Sequence, residues 1–271
     1  VVRLSDRVSR LTAPNPGMMT GPGTNTYLVG DASTGIAVID PGPADVSHVA
    51  RIVEAAAGPI RWILCTHTHM DHSPGAVLLR ERTRATTYGM VALHSAGQDP
   101  TFAPDHSVVE GERLALASVT LRALHTPGHA SNQFCYLLEE ERLLFTGDHI
   151  MQGSTVVINP PDGDMSAYFA SLERLYKEDL DWLAPGHGFL MARPHEMVER
   201  LIVHRRNREN KVVNALRAIG RGTVEALVTT VYDDTPQRLH PMAMRSLLAH
   251  LLKLQVDGRA SQDEGMWRLV G

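Results

Sequence analysis

Three imidazoles and one carboxylate fall within six consecutive positions of this 271-residue chain: His67, His69, Asp71 and His72. Neutral imidazole and ionised carboxylate suit zinc, iron or manganese, and the lack of a thiolate pair argues against a closed structural zinc site. The cluster directly follows the apolar run 60–65, which reads as a strand. Three further strand-like runs end near residues of the same kind: 119–124 leads to His129, 143–145 to Asp148 and 181–184 to His187. Ligands gathered at strand ends are presented by a rigid scaffold at one edge of a layered core. A hydrolytic metal site must hold an ion and still leave a position for water. Two neighbouring ions can share a hydroxide while one polarises the substrate oxygen and a carboxylate bridges them. Such a pair needs about seven protein ligands, and His67, His69, Asp71, His72, His129, Asp148 and His187 supply seven candidates.

The intervening sequence supplies the elements that would hold them. Residues 26–29 and 36–39 read as a strand pair joined by a glycine- and aspartate-bearing turn. Apolar residues recur at helical spacing over 46–57, and Gly58 and Pro59 end that helix. Residues 74–82 predict a helix with Pro74 in its first turn, where a missing N–H costs nothing. Residues 134–138 and 143–145 form a second strand pair, and 166–176 is an amphipathic helix with Ser166 as its predicted N-cap. After His187 the pattern changes. Helices are predicted over 196–219, stopping at Gly220, over 223–231 with Thr223 as N-cap, and over 241–256. A hairpin follows in 257–270. Three helices and a hairpin are the layout of a winged-helix module. The expected division is a catalytic domain over 1–194 and a C-terminal domain over 195–271.

Bulk properties bound the function. Hydrophobic residues make up 43% of the chain and charged residues 21%, ordinary for a globular protein with a sizeable core. A net charge of -4 excludes a strongly basic surface overall, but not a local basic patch. Cys65 and Cys135 lie inside apolar runs, so buried thiols are expected rather than a disulfide framework. The sequence contains no run apolar enough to span a membrane and no secretory layout at its start, which makes a cytoplasmic protein the expectation.

Taken in order, His-x-His-x-Asp-His, His129 in Thr-Pro-Gly-His, Gly147-Asp148 and His187 in Pro-Gly-His-Gly resemble the metallo-β-lactamase superfamily. The resemblance implies an α+β fold, a four-layer αββα sandwich. It implies that His67, His69 and His129 hold one divalent metal, that Asp71, His72 and His187 hold a second, and that Asp148 bridges both. The ions would be zinc, with iron or manganese also suited, and Asp71 and Asp148 would be the catalytic carboxylates. Asp40 matches the superfamily's first motif, usually structural. Residues 23–29, the His204–Arg208 stretch and the segment around Tyr232, Pro236 and His240 are similar to the beta-lactamase-like protein 2 subgroup. That subgroup carries a C-terminal winged helix and includes a mitochondrial single-strand endoribonuclease. Two departures matter. Gly188 and Phe189 replace the Glu-Tyr usual in glyoxalase II, which argues against glutathione thioesters. The interval between Asp148 and His187 is also too short for the insertion of the message- and tRNA-processing nucleases.

The expected activity is hydrolysis by a metal-bridging hydroxide, and two substrate classes remain open. Single-stranded RNA is suggested by the subgroup and by a basic run of Arg200, Arg205, Arg206, Arg208 and Lys211, with Tyr232 and Trp267 the candidates for base stacking. A solvated helix face is the plainer reading of that run. The alternative is a small thioester, ester, lactone or β-lactam, with the C-terminal domain walling the pocket or forming a homodimer. Of the remaining residues, His125, His149, His94 and His106 are read as ordinary, with a mobile histidine a candidate proton donor. Asn25 and Thr26 lie either at the pocket mouth or at a hydrogen-bonded strand start, and Cys65 is core.

Overall fold

The computed structural model describes residues 1–270 and places two β-sheets face to face. The first holds seven strands in chain order: β1 (Val2–Arg3), β2 (Val8–Thr12), β3 (Asn25–Asp31), β4 (Gly35–Ile39), β5 (Ile60–Leu64), β6 (Thr86–Gly89) and β7 (His106–Ser107). The second holds β8 (Arg113–Leu116), β9 (Val119–His125), β10 (Phe134–Leu138), β11 (Leu143–Gly147), β12 (Trp182–Pro185) and β13 (Met191–Ala192). Neighbours are antiparallel except where the chain crosses over. The β4–β5 and β5–β6 pairs are parallel around α1 (Val46–Ala55) and α2 (Gly75–Thr83), β6–β7 is parallel across the segment 90–105, and β11–β12 is parallel around α3 (Met165–Leu175).

Alternation along each strand builds the layers, since successive side chains point to opposite faces. On β4, Ala37 and Ile39 enter the core between the sheets, while Ile36 and Val38 pack outward with Val49, Ile52 and Leu79 of the first two helices. On β10, Phe134, Tyr136 and Leu138 face the central core, whereas Cys135 and Leu137 meet Tyr168, Leu172 and Leu175 of α3. Both faces are covered, so these strands read as nearly unbroken apolar runs. The expected αββα sandwich is the observed one.

The C-terminal domain contains α4 (Pro194–Ile219), α5 (Val224–Val231), α6 (His240–Val256) and a three-stranded sheet of β14 (Arg221–Gly222), β15 (Ala260–Asp263) and β16 (Met266–Leu269). This is the winged helix that the pattern predicted. Helix α4 belongs to two cores. Val198 and Leu201 pack on the second sheet's outer layer, and Val212 and Leu216 pack with α5 and α6. No helix is long and apolar enough to cross a membrane among the described residues.

One cap differs from expectation. Helix α3 is capped by Asp164, in extended conformation, whose carboxylate accepts from Ala167 N–H at 2.8 Å. Ser166 lies inside the first turn instead. Both residue types cap well, and the helix starts earlier because Met165 is buried against the second sheet. Replacing the two residues separately distinguishes them. Asp164→Ala should cost about 1 kcal/mol, seen as a lower urea midpoint, whereas Ser166→Ala should leave the midpoint nearly unchanged.

Candidate metal centre

All seven predicted ligands meet at one edge of the two sheets. His67, His69, Asp71 and His72 lie in the loop after β5, His129 follows β9, Asp148 follows β11 and His187 follows β12. Asp40, at the end of β4, fastens the loop at both ends. Its Oδ1 accepts from Thr66 N–H at 2.7 Å, and its Oδ2 accepts from Thr66 Oγ1 at 2.8 Å and His72 Nδ1 at 2.9 Å. Asp40 adopts φ +51°, a left-handed conformation that a non-glycine residue holds only when its surroundings compel it. The structural role expected of Asp40 is the observed one. Gly186 permits the closest approach in the site: a Cβ there would stand 2.6 Å from Asp148 Oδ1 and 2.7 Å from His72 Cε1.

Hydrogen bonds outside the cluster set the tautomers. Thr66 Oγ1 donates to Asp40, so it accepts from His67 Nδ1 at 3.0 Å. His72 Nδ1 donates to Asp40, His129 Nδ1 to the Val157 carbonyl at 2.9 Å, and His187 Nδ1 to the Gly23 carbonyl at 3.2 Å. Each of these four rings turns its Nε2 inward. His69 turns its Nδ1 to the same point, 3.0 Å from His67 Nε2 and 2.9 Å from His129 Nε2. One proton on His69 cannot satisfy two neighbours, so the trio makes poor sense as a hydrogen-bond network. It makes good sense around a cation, since ligand atoms on one tetrahedral zinc lie about 3.3 Å apart.

The carboxylates complete the arrangement. Asp71 Oδ2 lies 3.4 Å from His72 Nε2 and 3.2 Å from His187 Nε2. Asp148 Oδ1 lies 3.4 Å and 3.3 Å from the same two nitrogens, while its Oδ2 lies 3.7 Å from His129 Nε2. One Asp148 oxygen thus faces each group of histidines. His72 Nε2 and Asp148 Oδ1 are buried without a hydrogen-bond partner among the described residues. Such orphaned atoms are costly unless something else binds them, and a divalent cation fits this donor set.

The two sides differ electrically. Burial drives His67 well below the ordinary imidazole range, takes His69 down to about 3 and lowers His129 despite the nearby Asp148 carboxylate. On the other side burial also opposes charge, but carboxylates prevail. Asp148 and Asp71 raise His187 to about 9, and Asp71, Asp148 and Asp40 raise His72 well above its usual value. Burial would raise the two acids, yet His72 and His187 hold Asp71 at about 2 and Asp148 well below the carboxylate range.

The remaining candidates are placed as follows. Asn25 and Thr26 are buried at a strand start and do not line the cavity: Asn25 Nδ2 donates to the Pro185 and Gly188 carbonyls, and Thr26 Oγ1 donates to the Asp40 carbonyl. Cys65 is core. His125 is tied to the Ser131 carbonyl, His106 pairs with Glu112, and His94 lines the cavity above the ligands. His149 is fully buried against Tyr168, with both ring nitrogens unpartnered among the described residues. Sequence reasoning missed Thr24, whose hydroxyl donates to Asp71 Oδ2 at 3.3 Å, and the two orienting carbonyls of Gly23 and Val157.

The pattern of the Metallo-beta-lactamase superfamily matches residues 19–187, and that of the Beta-lactamase associated winged helix domain matches residues 223–267. The chain belongs to the metallo-beta-lactamase superfamily. A Beta-lactamase-like protein 2 homolog of Caenorhabditis elegans is 30% identical over 262 residues, covering 95% of this chain and 87% of that protein. An Atrochrysone carboxyl ACP thioesterase of Aspergillus chevalieri is 33% identical over 288 residues, covering 100% and 89%. A metallo-beta-lactamase family protein of Thermus thermophilus shares the fold over 99% of this chain and 100% of its own, with a TM-score of 0.82 at 20% identity.

Different protonation predicts different metal retention. A cation entering at Asp71, His72 and His187 would displace the proton that His187 holds up to a pH of about 9 and the one that the carboxylates favour on His72, so its affinity falls as pH drops. Burial shifts His67, His69 and His129 the other way, so protons compete less for those nitrogens. Dialysis at pH 8 should leave two zinc equivalents, and dialysis at pH 5.5 should leave one. An unchanged metal count, or loss of both ions together, would contradict the assignment.

Proposed function

We propose that the protein is a two-metal hydrolase of thioesters with an apolar acyl group. The observation that carries this reading is the wall of the cavity over the ligands. Met18, Met19, Met70, Met151 and Met242 line a space of about 540 Å³ together with the inward edges of His69, Asp71, Asp148 and His187. Methionine is unbranched and polarisable, and it packs against apolar groups of varied shape. An acyl chain suits such a wall better than a nucleotide does. Arg245 of α6 is the only lysine or arginine lining the cavity among the described residues, and it forms no ion pair there. It offers one anchor for an anionic group carried by the thiol portion. The name of the Aspergillus chevalieri relative, an ACP thioesterase, supports the same substrate class.

The side chains divide the work. His67, His69 and His129 would hold one ion, Asp71, His72 and His187 the other, with Asp148 shared. Bound divalent metal would bring the pKa of water toward neutrality and draw electron density from the substrate carbonyl oxygen. Asp71 is the more open carboxylate, with its side chain 27% exposed. Held at a pKa of about 2, it stays ionised and orients water by accepting a hydrogen bond rather than storing a proton. A departing thiol, with an ordinary pKa of about 8.5, needs less help from an acid than an alkoxide does. His94, on the same cavity wall, is the candidate donor for poorer leaving groups.

Single-stranded RNA is the second reading, suggested by the resemblance of residues 23–29 and 204–208 to a subgroup that includes a single-strand endoribonuclease. The basic run gives it little support. Arg205 and Arg208 are buried, Arg206 pairs with Glu173, and Lys211 pairs with Asp233 and Asp234. Tyr232 and Trp267 are buried in the C-terminal core, away from any stacking role.

A matched pair of substrates tests the proposal. Octanoyl thioesters of phosphopantetheine and of N-acetylcysteamine should both be hydrolysed, and Asp148→Ala should abolish both activities. Lengthening the acyl group should lower KM about fourfold per methylene, given about 0.8 kcal/mol per buried CH2. Arg245→Ala should raise KM about tenfold for the phosphorylated substrate alone, with kcat little changed. Cleavage of single-stranded RNA without thioester hydrolysis would overturn this reading.

A further inference from the structure

Three polar groups on two consecutive peptide units in the loop between β11 and α3 have separate partners. The Val156 carbonyl accepts from Nη2 of Arg205, on α4. The Val157 carbonyl accepts from His129 Nδ1 at 2.9 Å. The Ile158 N–H donates to Oγ of Ser246, on α6, at 3.2 Å. The carbonyl that fixes a ligand's tautomer is therefore gripped on both sides by the C-terminal domain. Neither grip is incidental surface contact, because Arg205 and Ser246 are 2% and 5% exposed. Arg205 also lies over the Tyr168 ring at 5.2 Å, and Tyr168 Oη donates to the carbonyl of His149, next to Asp148.

Arg205 is an expensive way to hold a loop. No carboxylate lies within ion-pair distance of it among the described residues, and its Nε has no partner. Burying a guanidinium without a carboxylate partner costs stability that one carbonyl and the face of Tyr168 offset only in part. A residue serving only to glue the two domains together would be better as a methionine or leucine. What the guanidinium supplies is direction: a donor aimed at one carbonyl, one residue before the carbonyl that orients His129.

We propose that Arg205 and Ser246 are positioning residues for the metal centre, through which the winged-helix domain sets the orientation of His129. The inference rests on the metal reading of the site. If the segment slackens, Val157 O no longer holds the His129 Nδ1 proton, and the ring is free to rotate or change tautomer. Outer partners of metal-binding histidines are typically worth 10–100-fold in metal affinity.

The test is zinc affinity of the full-length chain, measured by competition with a chromophoric chelator, for four variants. Ser246→Ala and Arg205→Met should each weaken the tighter zinc by about tenfold, and Ser246→Thr, which keeps the acceptor, should restore it. Arg208→Met is the control. Arg208 is also a buried arginine, donating to the Val231 carbonyl and pairing with Asp234, but it makes no hydrogen bond to residues 156–158. Its loss should lower the melting temperature while leaving zinc affinity intact. Equal weakening by Arg208→Met, or wild-type affinity in both Ser246→Ala and Arg205→Met, would overturn the inference. If Arg205→Met does not fold, the Ser246→Ala and Ser246→Thr pair decides. A wild-type chain that takes up no zinc would overturn the metal reading, and this inference with it.

Discussion

The Asp40 carboxylate is the constraint on which the site depends. Its oxygens are shared between Thr66, where the ligand loop leaves β5, and His72, where that loop closes. Four ligands occupy this short loop, and without an anchor at each end their side chains would sample many arrangements. Asp40 is itself fixed from three directions. Its N–H donates to the Leu64 carbonyl, its carbonyl accepts from Thr26, and its backbone is held at positive φ. Strain at such a position persists only when the surroundings over-determine it. The sheet supplies that surplus: β3, β4 and β5 are adjacent, and Thr26, Asp40 and Thr66 belong to their ends.

Only part of the site is local. His129, Asp148 and His187 come from the second sheet, so the two halves of the centre meet only when the sheets pack face to face. Asp148 and His187 follow neighbouring parallel strands, with Gly147 beside Pro185 after a shift in register. Gly186 lacks a side chain at the point where the two halves touch. A carboxylate that faces both histidine groups is thus a product of sandwich packing, and the central core of Leu121, Phe134, Tyr136 and Phe145 serves metal geometry as much as stability.

What the sequence made legible follows from which interactions leave a trace in residue type. The ligands were visible because histidine and aspartate at strand ends are chemically distinctive. The central strands were visible because two covered faces demand unbroken apolar runs, as in 134–138. Strands β1, β2, β6, β7, β8, β13 and β14 are too short or too mixed in polarity to be read from the pattern. The orienting carbonyls of Gly23 and Val157 could not be read at all, since every residue carries one. Arg205 and Arg208 were misread for another reason. On a helical pattern they look like a charged face, and only packing shows that α4 turns that face toward Tyr168 and Tyr232. The same packing hides Trp267, placed by its hairpin at the centre of the third core.

These features separate a rigid part of the molecule from an adaptable one. The ligands are fixed by short hydrogen bonds to Asp40, Thr66, Gly23 and Val157, and by rings packed edge to face: His67 against His69 and His69 against His129, each pair 4.6 Å apart. The cavity above them is walled by unbranched methionines drawn from the segment before β3, from the ligand loop, from the loop after β11 and from α6. Under the proposed reading, fixed ligands would determine which bond is attacked, and a soft wall would set loose limits on the group attached to that bond. The C-terminal domain takes part in both functions, lending Met242 and Arg245 to the wall and gripping, through Arg205 and Ser246, the loop that directs His129. Of the basic run on α4, Arg205 and Arg208 turn into the fold, over Tyr168 and Tyr232, and so serve packing and loop placement rather than an outer face.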